Sequence, residues 1–411
     1  MLMNRLWIGL FFTALLVGMG KLFFLGDLEV FKSIVDALFE SAETSFKIAL
    51  FLTGALCLWM GIMEIGKEGG AIKGLTKLVS PLFSKLFPEV PKNHPAVGSM
   101  MMNISANMLG LDNAATPLGL QAMKELQEIN PEKDKASNAQ IMFLVLNTSG
   151  LTIIPVSILA YRSAAGSEAP AAVFLPILFA TFFSTLVGLI AVSIKQKINL
   201  FNKVVLAYIG SLTALILGLL IWLQYNPKMV KPVSEIGGNF ILFFIIILFL
   251  ALGIRKKINV YEVFIEGAKG GFDVAIKIVP YLVAILVAVG VFRASGAMEL
   301  LFDGVRYAVN QMGVTNTDFI EALPTAFMKP FSGSASRGMM LETFNTHGVD
   351  SFVGRMAATF QGATDTTFYI LAVYFGSVGI KKTRYAVGAG LIADLAGILA
   401  AIYISYMFFG N

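Results

Sequence analysis

Apolar residues fall into runs of about 20 along most of the chain, and short polar or charged stretches separate these runs. A helix of about 20 residues crosses the roughly 30 Å of hydrocarbon in a bilayer, so each run predicts a membrane-spanning helix. The predicted spans are residues 6–25, 46–65, 140–162, 170–194, 204–224, 238–254, 275–293, 352–373 and 383–408. The pattern predicts an all-α polytopic membrane protein with about ten transmembrane or re-entrant helical elements.

Two segments interrupt this pattern with polar residues, proline and glycine. Residues 101–120 read MMNISANMLGLDNAATPLGL, and residues 328–340 read MKPFSGSASRGMM. Neither is long and apolar enough for an ordinary span. Because every backbone N–H and C=O in a membrane needs a partner, such a break survives only inside the protein or beside a water-filled cavity. We therefore expect segments 96–123 and 320–346 to be broken helical hairpins that enter and leave on one side.

The composition agrees with a membrane protein and narrows the chemistry. The chain is 56% hydrophobic and 14% charged, with a mean hydropathy of +0.76 and a net charge of +5, whereas a soluble domain carries about 25% charged residues. Its single cysteine, Cys57, excludes an intrachain disulfide and a cysteine-based metal site. The sequence suggests no metal ion, cofactor or catalytic residue, and nucleic acid is not an expected partner.

Lysine and arginine residues concentrate in four loops and predict the orientation in the membrane. These loops contain Lys67–Lys92, Lys195–Lys203, Arg255–Lys257 and Lys381–Arg384. Loops rich in these residues remain in the cytoplasm. The spans then alternate consistently if both interrupted segments are re-entrant. This arrangement places the N-terminus in the cytoplasm of a bacterial cell, with the chain in the plasma (inner) membrane.

The chain also contains two similar halves in opposite orientations. The segment FKIALFLTGAL (46–56) aligns with IKIVPYLVAIL (276–286) at an offset of 230 residues, and Tyr161 aligns with Tyr374 at an offset of 213. Each half continues with an amphipathic stretch, an interrupted segment and two further spans. The predicted repeat cores are residues 46–194 and 275–408. Inverted repeats with interrupted hydrophobic segments at matching places are typical of alternating-access transporters.

The polar residues at the interruptions are the candidate solute ligands, together with two polar clusters inside the spans at 140–162 and 352–373. The candidates are Asn103, Asn107, Asn113, Thr116, Asn147, Ser149, Thr152, Ser332, Ser334, Ser336, Thr364, Asp365 and Thr366. A carboxylate within a span usually faces a cavity, so Asp365 is a candidate for coupling to protons or cations. The alternative is a structural ion pair of Asp365 with Arg355 or Lys329, and the asparagines could equally serve as helix caps.

The first interrupted segment, NISANMLGLDNAATPLGLQAMKELQ (103–127), closely resembles the hallmark of spore maturation protein A. Spore maturation protein B is similar to EGAKGGFDVAIKIVPYLVAILVAVGVFRASGAM (266–298) and KPFSGSASRGMM (329–340). The resemblance implies a head-to-tail fusion within the nucleoside-recognition, or Gate, superfamily. Residues 1–200 would form the first domain, 201–237 a linker span and 238–411 the second domain.

Three functions are compatible with these features. The favoured one is a secondary transporter or permease for a small polar solute, nucleoside-like or ionic, that binds at the two hairpin tips. The alternatives are a non-transporting membrane scaffold in envelope or spore-type maturation and a membrane-embedded enzyme acting on lipid or cell-wall precursors. We expect no enzymatic activity, because the chain carries no P-loop, dinucleotide fingerprint, HExxH motif or nucleophile elbow. The expected partners are the lipid bilayer, the solute and, as an open alternative, a second copy of the chain.

Overall fold

The computed structural model describes residues 2–110, 112–311, 313 and 316–410, without the side chains of residues 2–4 and 112–114. Within this part, the regular structure is helical apart from one isolated β-bridge. The helices are α1 (Leu2–Gly20), α2 (Val30–Gly69), α3 (Ala71–Leu86), α4 (Pro95–Met108), α5 (Asp112–Glu128), α6 (Asn138–Ser149), α7 (Val156–Ala164), α8 (Phe174–Gln196), α9 (Lys203–Val205), α10 (Ser211–Tyr225), α11 (Val230–Pro232), α12 (Gly238–Arg255), α13 (Val260–Ala294), α14 (Ala297–Gln311), α15 (Leu323–Met328), α16 (Gly333–His347), α17 (Phe352–Ala363), α18 (Thr367–Ser377) and α19 (Ala386–Phe409). The all-α fold is confirmed.

Seven stretches of helix within the described residues are long and apolar enough to cross a membrane. They are Arg5–Leu25, Val30–Gly69, Pro170–Gln196, Lys203–Tyr225, Pro227–Arg255, Val260–Ala294 and Ala386–Phe409. Six of them contain a predicted span completely, and Ala386–Phe409 overlaps the predicted span at 383–408. The protein is therefore a polytopic helical membrane protein.

Two predicted spans are wrong as continuous helices. The span at 140–162 is divided into α6 and α7 by residues 150–155, and the span at 352–373 is divided into α17 and α18 by residues 364–366. The first break follows from Gly150, which ends α6 in a left-handed conformation (φ 54°), and from Pro155 just before α7. The polar clusters inside these spans mark interruptions of the helix.

Two other spans extend well beyond their predicted starts at residues 46 and 275, because α2 begins at Val30 and α13 at Val260. The additional turns carry charged residues on an exposed surface, where pairs one turn apart stabilise the helix. An example is Lys47, whose Nζ lies 2.6 Å from Glu43 Oε1. The apolar runs predicted the apolar part of each helix but not the residue at which the helix begins.

Helices α2 and α13 pack side by side in opposite directions. A Cβ on Gly271 would lie 2.7 Å from the backbone nitrogen of Cys57, and one on Gly267 would lie 2.6 Å from the carbonyl oxygen of Met60. Farther along α13, Gly290 faces Ser41. Residues with higher numbers in α13 contact residues with lower numbers in α2, so the two helices are antiparallel. The small residues allow the two backbones to approach closely.

Both interrupted segments form helix–break–helix hairpins. In the first hairpin, α4 ends beside Gly110, which has a φ of 73°, and α5 returns. In the second, α15 ends at Met328 and α16 begins at Gly333, where the hydroxyl of Ser332 accepts a hydrogen bond from the Ala335 amide at 3.2 Å. The caps satisfy part of the backbone that the breaks leave unpaired.

All four basic loops lie at one end of the molecule. Lys256 Nζ donates to the carbonyl of Glu68 at 2.9 Å, which joins the loop at 255–257 to the end of α2. Asn138 connects the others, because its side chain donates to Glu89 at 2.6 Å and accepts from Arg384 at 3.0 Å, while its carbonyl accepts from Gln196 at 2.8 Å. One basic end is the arrangement that the positive-inside rule requires.

This geometry makes a topology prediction. In a Cys57→Ala chain, single cysteines at Lys77, Lys197, Lys256 and Lys382 should resist a membrane-impermeant maleimide in intact cells and react after permeabilisation. A cysteine at Glu168, which is exposed at the opposite end, should react in intact cells and serves as the control. Labelling of Lys256 and Lys382 from opposite sides would contradict the inverted arrangement.

Candidate functional site

The two broken helices meet at their breaks. The amide of Asp365 donates to the carbonyl of Thr148 at 2.8 Å, so the end of α6 pairs directly with the break between α17 and α18. Gly150 lies beside the same residue, since a Cβ on it would be 3.4 Å from Asp365 Cβ. Four helix ends, with their unpaired backbone groups, converge here in the middle of the protein.

Each hairpin tip rests on the break of its own half. In the first half, the amide of Ile153 donates to the carbonyl of Met108 at 2.7 Å, and Gly110 lies against Ile154. In the second half, the amide of Phe368 donates to the carbonyl of Pro330 at 2.9 Å. The same contact made twice gives the site an approximate twofold symmetry.

Two tyrosines cross from one half to the other. Tyr374, near the end of α18, accepts a hydrogen bond from Asn103 of the first hairpin at 3.3 Å. Tyr161, its counterpart in α7, accepts one from Arg337 of the second hairpin at 3.4 Å. Each hairpin is therefore held by the break of its own half and by a tyrosine of the other half.

A cavity of about 710 Å³ lies between the tips and the breaks. Both hairpins, both broken helices and the middle of α13 contribute to its wall. Its polar lining residues are Asn107, Thr116, Asn147, Thr152, Ser157, Tyr161, Lys277, Tyr281, Lys329, Ser332, Ser334, Arg337, Gln361, Thr364, Asp365, Thr366, Tyr369 and Tyr374. The volume lies within the range of about 300–1,000 Å³ that is typical of small-molecule sites.

Two separate stretches, residues 49–168 and 275–381, match the model of the Gate family, which is described as "Nucleoside recognition". Together they cover more than half of the chain. The chain belongs to the Gate family. Each matched stretch contains one hairpin and one broken helix, so the elements that enclose the cavity are those that the family shares.

Two curated Gate relatives come from Bacillus subtilis (strain 168). The chain is 46% identical to spore maturation protein B over 162 residues, which are 39% of this chain and 89% of that protein. It is 35% identical to spore maturation protein A over 183 residues, which are 44% of this chain and 90% of that protein. The resemblance seen in the sequence motifs is confirmed.

Nine of the predicted ligand residues line the cavity of this Gate protein, and they come from both halves of the chain. They are Asn107, Thr116, Asn147, Thr152, Ser332, Ser334, Thr364, Asp365 and Thr366. Their role in binding remains a prediction.

Three predicted residues lie behind the wall instead. Asn103 Nδ2 donates to the carbonyl of Ala115 at 2.8 Å within its own hairpin, and Ser149 donates to the preceding turn of α6 at 3.3 Å. Ser336 donates to the carbonyl of Thr325 at 2.7 Å. These residues hold the hairpins and the break in shape. The side chain of Asn113 lies outside the described residues.

Asp365 is half-buried at the cavity wall. Its Oδ1 accepts the amide of Thr366, the residue just before α18, at 2.7 Å. Arg355 lies over the ring of Phe409 at 5.2 Å, whereas Lys329 lines the same cavity as Asp365. The carboxylate thus holds the backbone of the break and also lines the cavity.

Several residues that line the cavity were not among the predicted ligand residues. Lys277 is one of them, as are Tyr281 and Tyr369. A lysine inside an apolar run was the available signal for Lys277, and the tyrosine pair at matching offsets was the signal for Tyr161 and Tyr374. In the described part of the chain, no three His, Cys, Asp or Glu side chains come together as a metal site would require.

Proposed function

We propose that this Gate protein is a secondary transporter or permease for a small polar solute that binds in the cavity between the hairpin tips and the crossing breaks. The observation that supports this most directly is the cavity itself, which forms where both tips and both breaks meet. Interrupted helices in inverted repeats supply solute sites in many transporters. The proposed movement exposes the cavity alternately to the two sides of the membrane.

The proposed orientation puts the basic end in the cytoplasm of a bacterial inner membrane. We propose the same side for the N-terminus, and the short connection between α1 and α2 at the opposite end supports this. The inverted repeats are proposed to span residues 46–194 and 275–408, joined by the helices between 203 and 255. An even number of crossings between them is what inverts the second copy.

The charge of the cavity indicates the class of solute. Its described lining residues include three cationic side chains, Lys277, Lys329 and Arg337, and one carboxylate, Asp365. The N-terminal ends of α7 and α16 also border the cavity at Val156 and Gly333, and helix N-termini favour negative charge. We therefore propose a solute that carries an anionic group beside its other polar groups.

The nucleoside uridine and its monophosphate are a matched pair of probes for this proposal. The phosphate should bind more tightly, and Arg337→Gln should weaken its binding about tenfold or more, since a hydrogen bond to a charged group contributes about 1.5–3 kcal/mol. Uridine should be affected much less. Ligand-induced thermal stabilisation of the purified protein measures both, with inorganic phosphate as a third probe.

Lys228→Gln, an exposed lysine far from the cavity in sequence, is the control and should change neither affinity. Equal binding of uridine and its monophosphate would contradict the anionic class. Absence of saturable binding by every probe, together with no uptake into proteoliposomes, would instead favour the membrane scaffold.

We further propose that the protein is not an enzyme. A hydrolase or transferase acting on lipid precursors would be expected to present two carboxylates, or a nucleophile with its base, to one pocket. Among the described lining residues, Asp365 is the single carboxylate. Uptake of an unaltered probe would support transport without chemistry.

A further inference from the structure

A second acidic residue, Asp394, lies outside the cavity wall in the middle of α19. Its side chain is 2% exposed. One carboxylate oxygen, Oδ2, accepts a hydrogen bond from the hydroxyl of Thr367 at 2.8 Å. The other, Oδ1, is buried and has no hydrogen-bond partner within the described residues.

Oxygen atoms from the breaks at 150–155 and 364–366, or from the helix ends beside them, lie close to this part of α19. Two glycines of α19, Gly390 and Gly397, leave room for them. A Cβ on Gly390 would lie 3.6 Å from the hydroxyl oxygen of Thr148 and 3.7 Å from that of Thr367. A Cβ on Gly397 would lie 3.2 Å from the carbonyl oxygen of Ala363. Gly390, Asp394 and Gly397 are one helical turn apart on one face of α19.

The electrostatic surroundings leave the carboxylate short of positive charge. Among the described residues, the charged groups that act on Asp394 are Lys329, which is favourable, and Asp365, which is unfavourable. The hydroxyl of Thr364 adds a favourable interaction. The C-terminal end of α17 at Ala363 adds partial negative charge, because its last carbonyls lack helical partners. A buried carboxylate with an unsatisfied oxygen is costly, and proteins neutralise such a group.

We propose that Asp394 binds a monovalent cation, either a proton or Na⁺, at the point where the two breaks cross. The positive charge compensates Oδ1, and the hydroxyls of Thr148 and Thr367 with the carbonyl of Ala363 supply the oxygen environment that such a cation prefers. The site communicates with the cavity through Thr364, whose methyl group lies against Gly397 and which also lines the cavity. Only this coupling, and not the cation site itself, rests on the proposed transport function.

Thermal unfolding of the purified protein tests the site in NaCl, KCl and choline chloride of equal ionic strength, each in mildly acidic and mildly alkaline buffer. A saturable rise of the unfolding midpoint with NaCl alone identifies Na⁺. A rise in acid that does not depend on the salt identifies the proton. Either response should disappear in Asp394→Asn and persist in Asp273→Asn, an exposed aspartate on α13.

Two further variants guard against a folding defect of Asp394→Asn. Asp394→Thr introduces the residue found 213 positions earlier, at the offset that relates Tyr161 to Tyr374, which is Thr181, and it should lose the response as Asp394→Asn does. Thr367→Val keeps the shape of the side chain but removes the hydroxyl beside Oδ2, and should raise the half-saturating cation concentration about tenfold. A wild-type protein without either response, or an unchanged response in Asp394→Asn or Thr367→Val, would overturn the proposal.

The same preparations separate this proposal from the transport function. Loss of the cation response in Asp394→Asn with retained binding of uridine monophosphate supports both. A cation response in a protein that binds and transports none of the probes leaves the cation site in place and contradicts the transporter.

Discussion

Asp350→Ala is expected to lower the free energy of unfolding by about 3 kcal/mol or more, because it leaves a buried guanidinium without its negative partner. Arg162 is fully buried, and its Nη2 lies 2.6 Å from Asp350 Oδ1. Within the described residues, the other hydrogen bonds of the guanidinium go to neutral groups, including the carbonyls of Val349 and Pro170 at 2.8 and 3.2 Å. Chemical denaturation in mixed detergent micelles, followed by tryptophan fluorescence, measures the change.

The approximate symmetry of the protein supplies a matched control. At the basic end, Lys382 Nζ lies 3.0 Å from Asp134 Oδ2, but both side chains are well exposed. The backbone already joins these two loops, since the amides of Lys381 and Lys382 both donate to the Asp134 carbonyl at 2.9 Å. Asp134→Ala should therefore have no measurable effect, and equal losses at the two ends would contradict the role of burial.

The Asp350 contact should also be sensitive to acid. Burial raises the pKa of this carboxyl, but hydrogen bonds from the Ser167 hydroxyl and the Glu168 amide, together with the Arg162 charge, outweigh burial and hold the pKa below its ordinary value. A lowered carboxyl pKa contributes stability above the unfolded value, near 3.9, and that contribution is lost as the pH falls through the folded value. Asp350→Ala should lose this part of the acid sensitivity.

The apolar runs were sufficient to predict the membrane class and the positions of seven spans, and the polar interruptions were sufficient to predict the two hairpins. They were not sufficient for the breaks at 150–155 and 364–366, since an apolar run with a few hydroxyls also suits a continuous helix. The decisive contact there, between Asp365 and Thr148, joins residues more than 200 positions apart. A hydropathy pattern records what meets lipid and contains no information on such pairings.

The burial of Asp365 and Asp394 also depends on contacts that a hydropathy pattern does not contain. Asp365 lies in a cluster of hydroxyls and was predicted as the coupling residue, whereas Asp394 stands among apolar residues in the segment GLIADLAG. In the structure Asp365 accepts the amide of Thr366 at the cavity wall, and Asp394 is the more deeply buried carboxylate. The burial of Asp394 depends on which helices pack against α19. The glycines of α19 permit close packing, but the sequence does not say which helices pack there.

The seating of the first hairpin tip is expected to depend on Gly110. This residue has a φ of 73°, and a Cβ on it would lie 2.5 Å from the backbone carbonyl oxygen of Ile154. Alanine there incurs the left-handed cost of about 1–2 kcal/mol and also pushes the tip away from a backbone atom that no side-chain rotation can move. Because Gly110 lines the cavity, Gly110→Ala should abolish saturable binding of uridine monophosphate.

Two other glycines separate the causes of this effect. Gly98, in the first turn of α4, has open space around the Cβ position and a helical backbone, so Gly98→Ala should leave binding unchanged and should not lower stability. Gly166 has a φ of 80° and nothing within 4 Å, so Gly166→Ala carries the conformational cost alone. It should lower the unfolding midpoint yet preserve binding. If Gly166→Ala lost binding as completely as Gly110→Ala, general destabilisation would explain both, and contact between the tip and the break would not be required for the site.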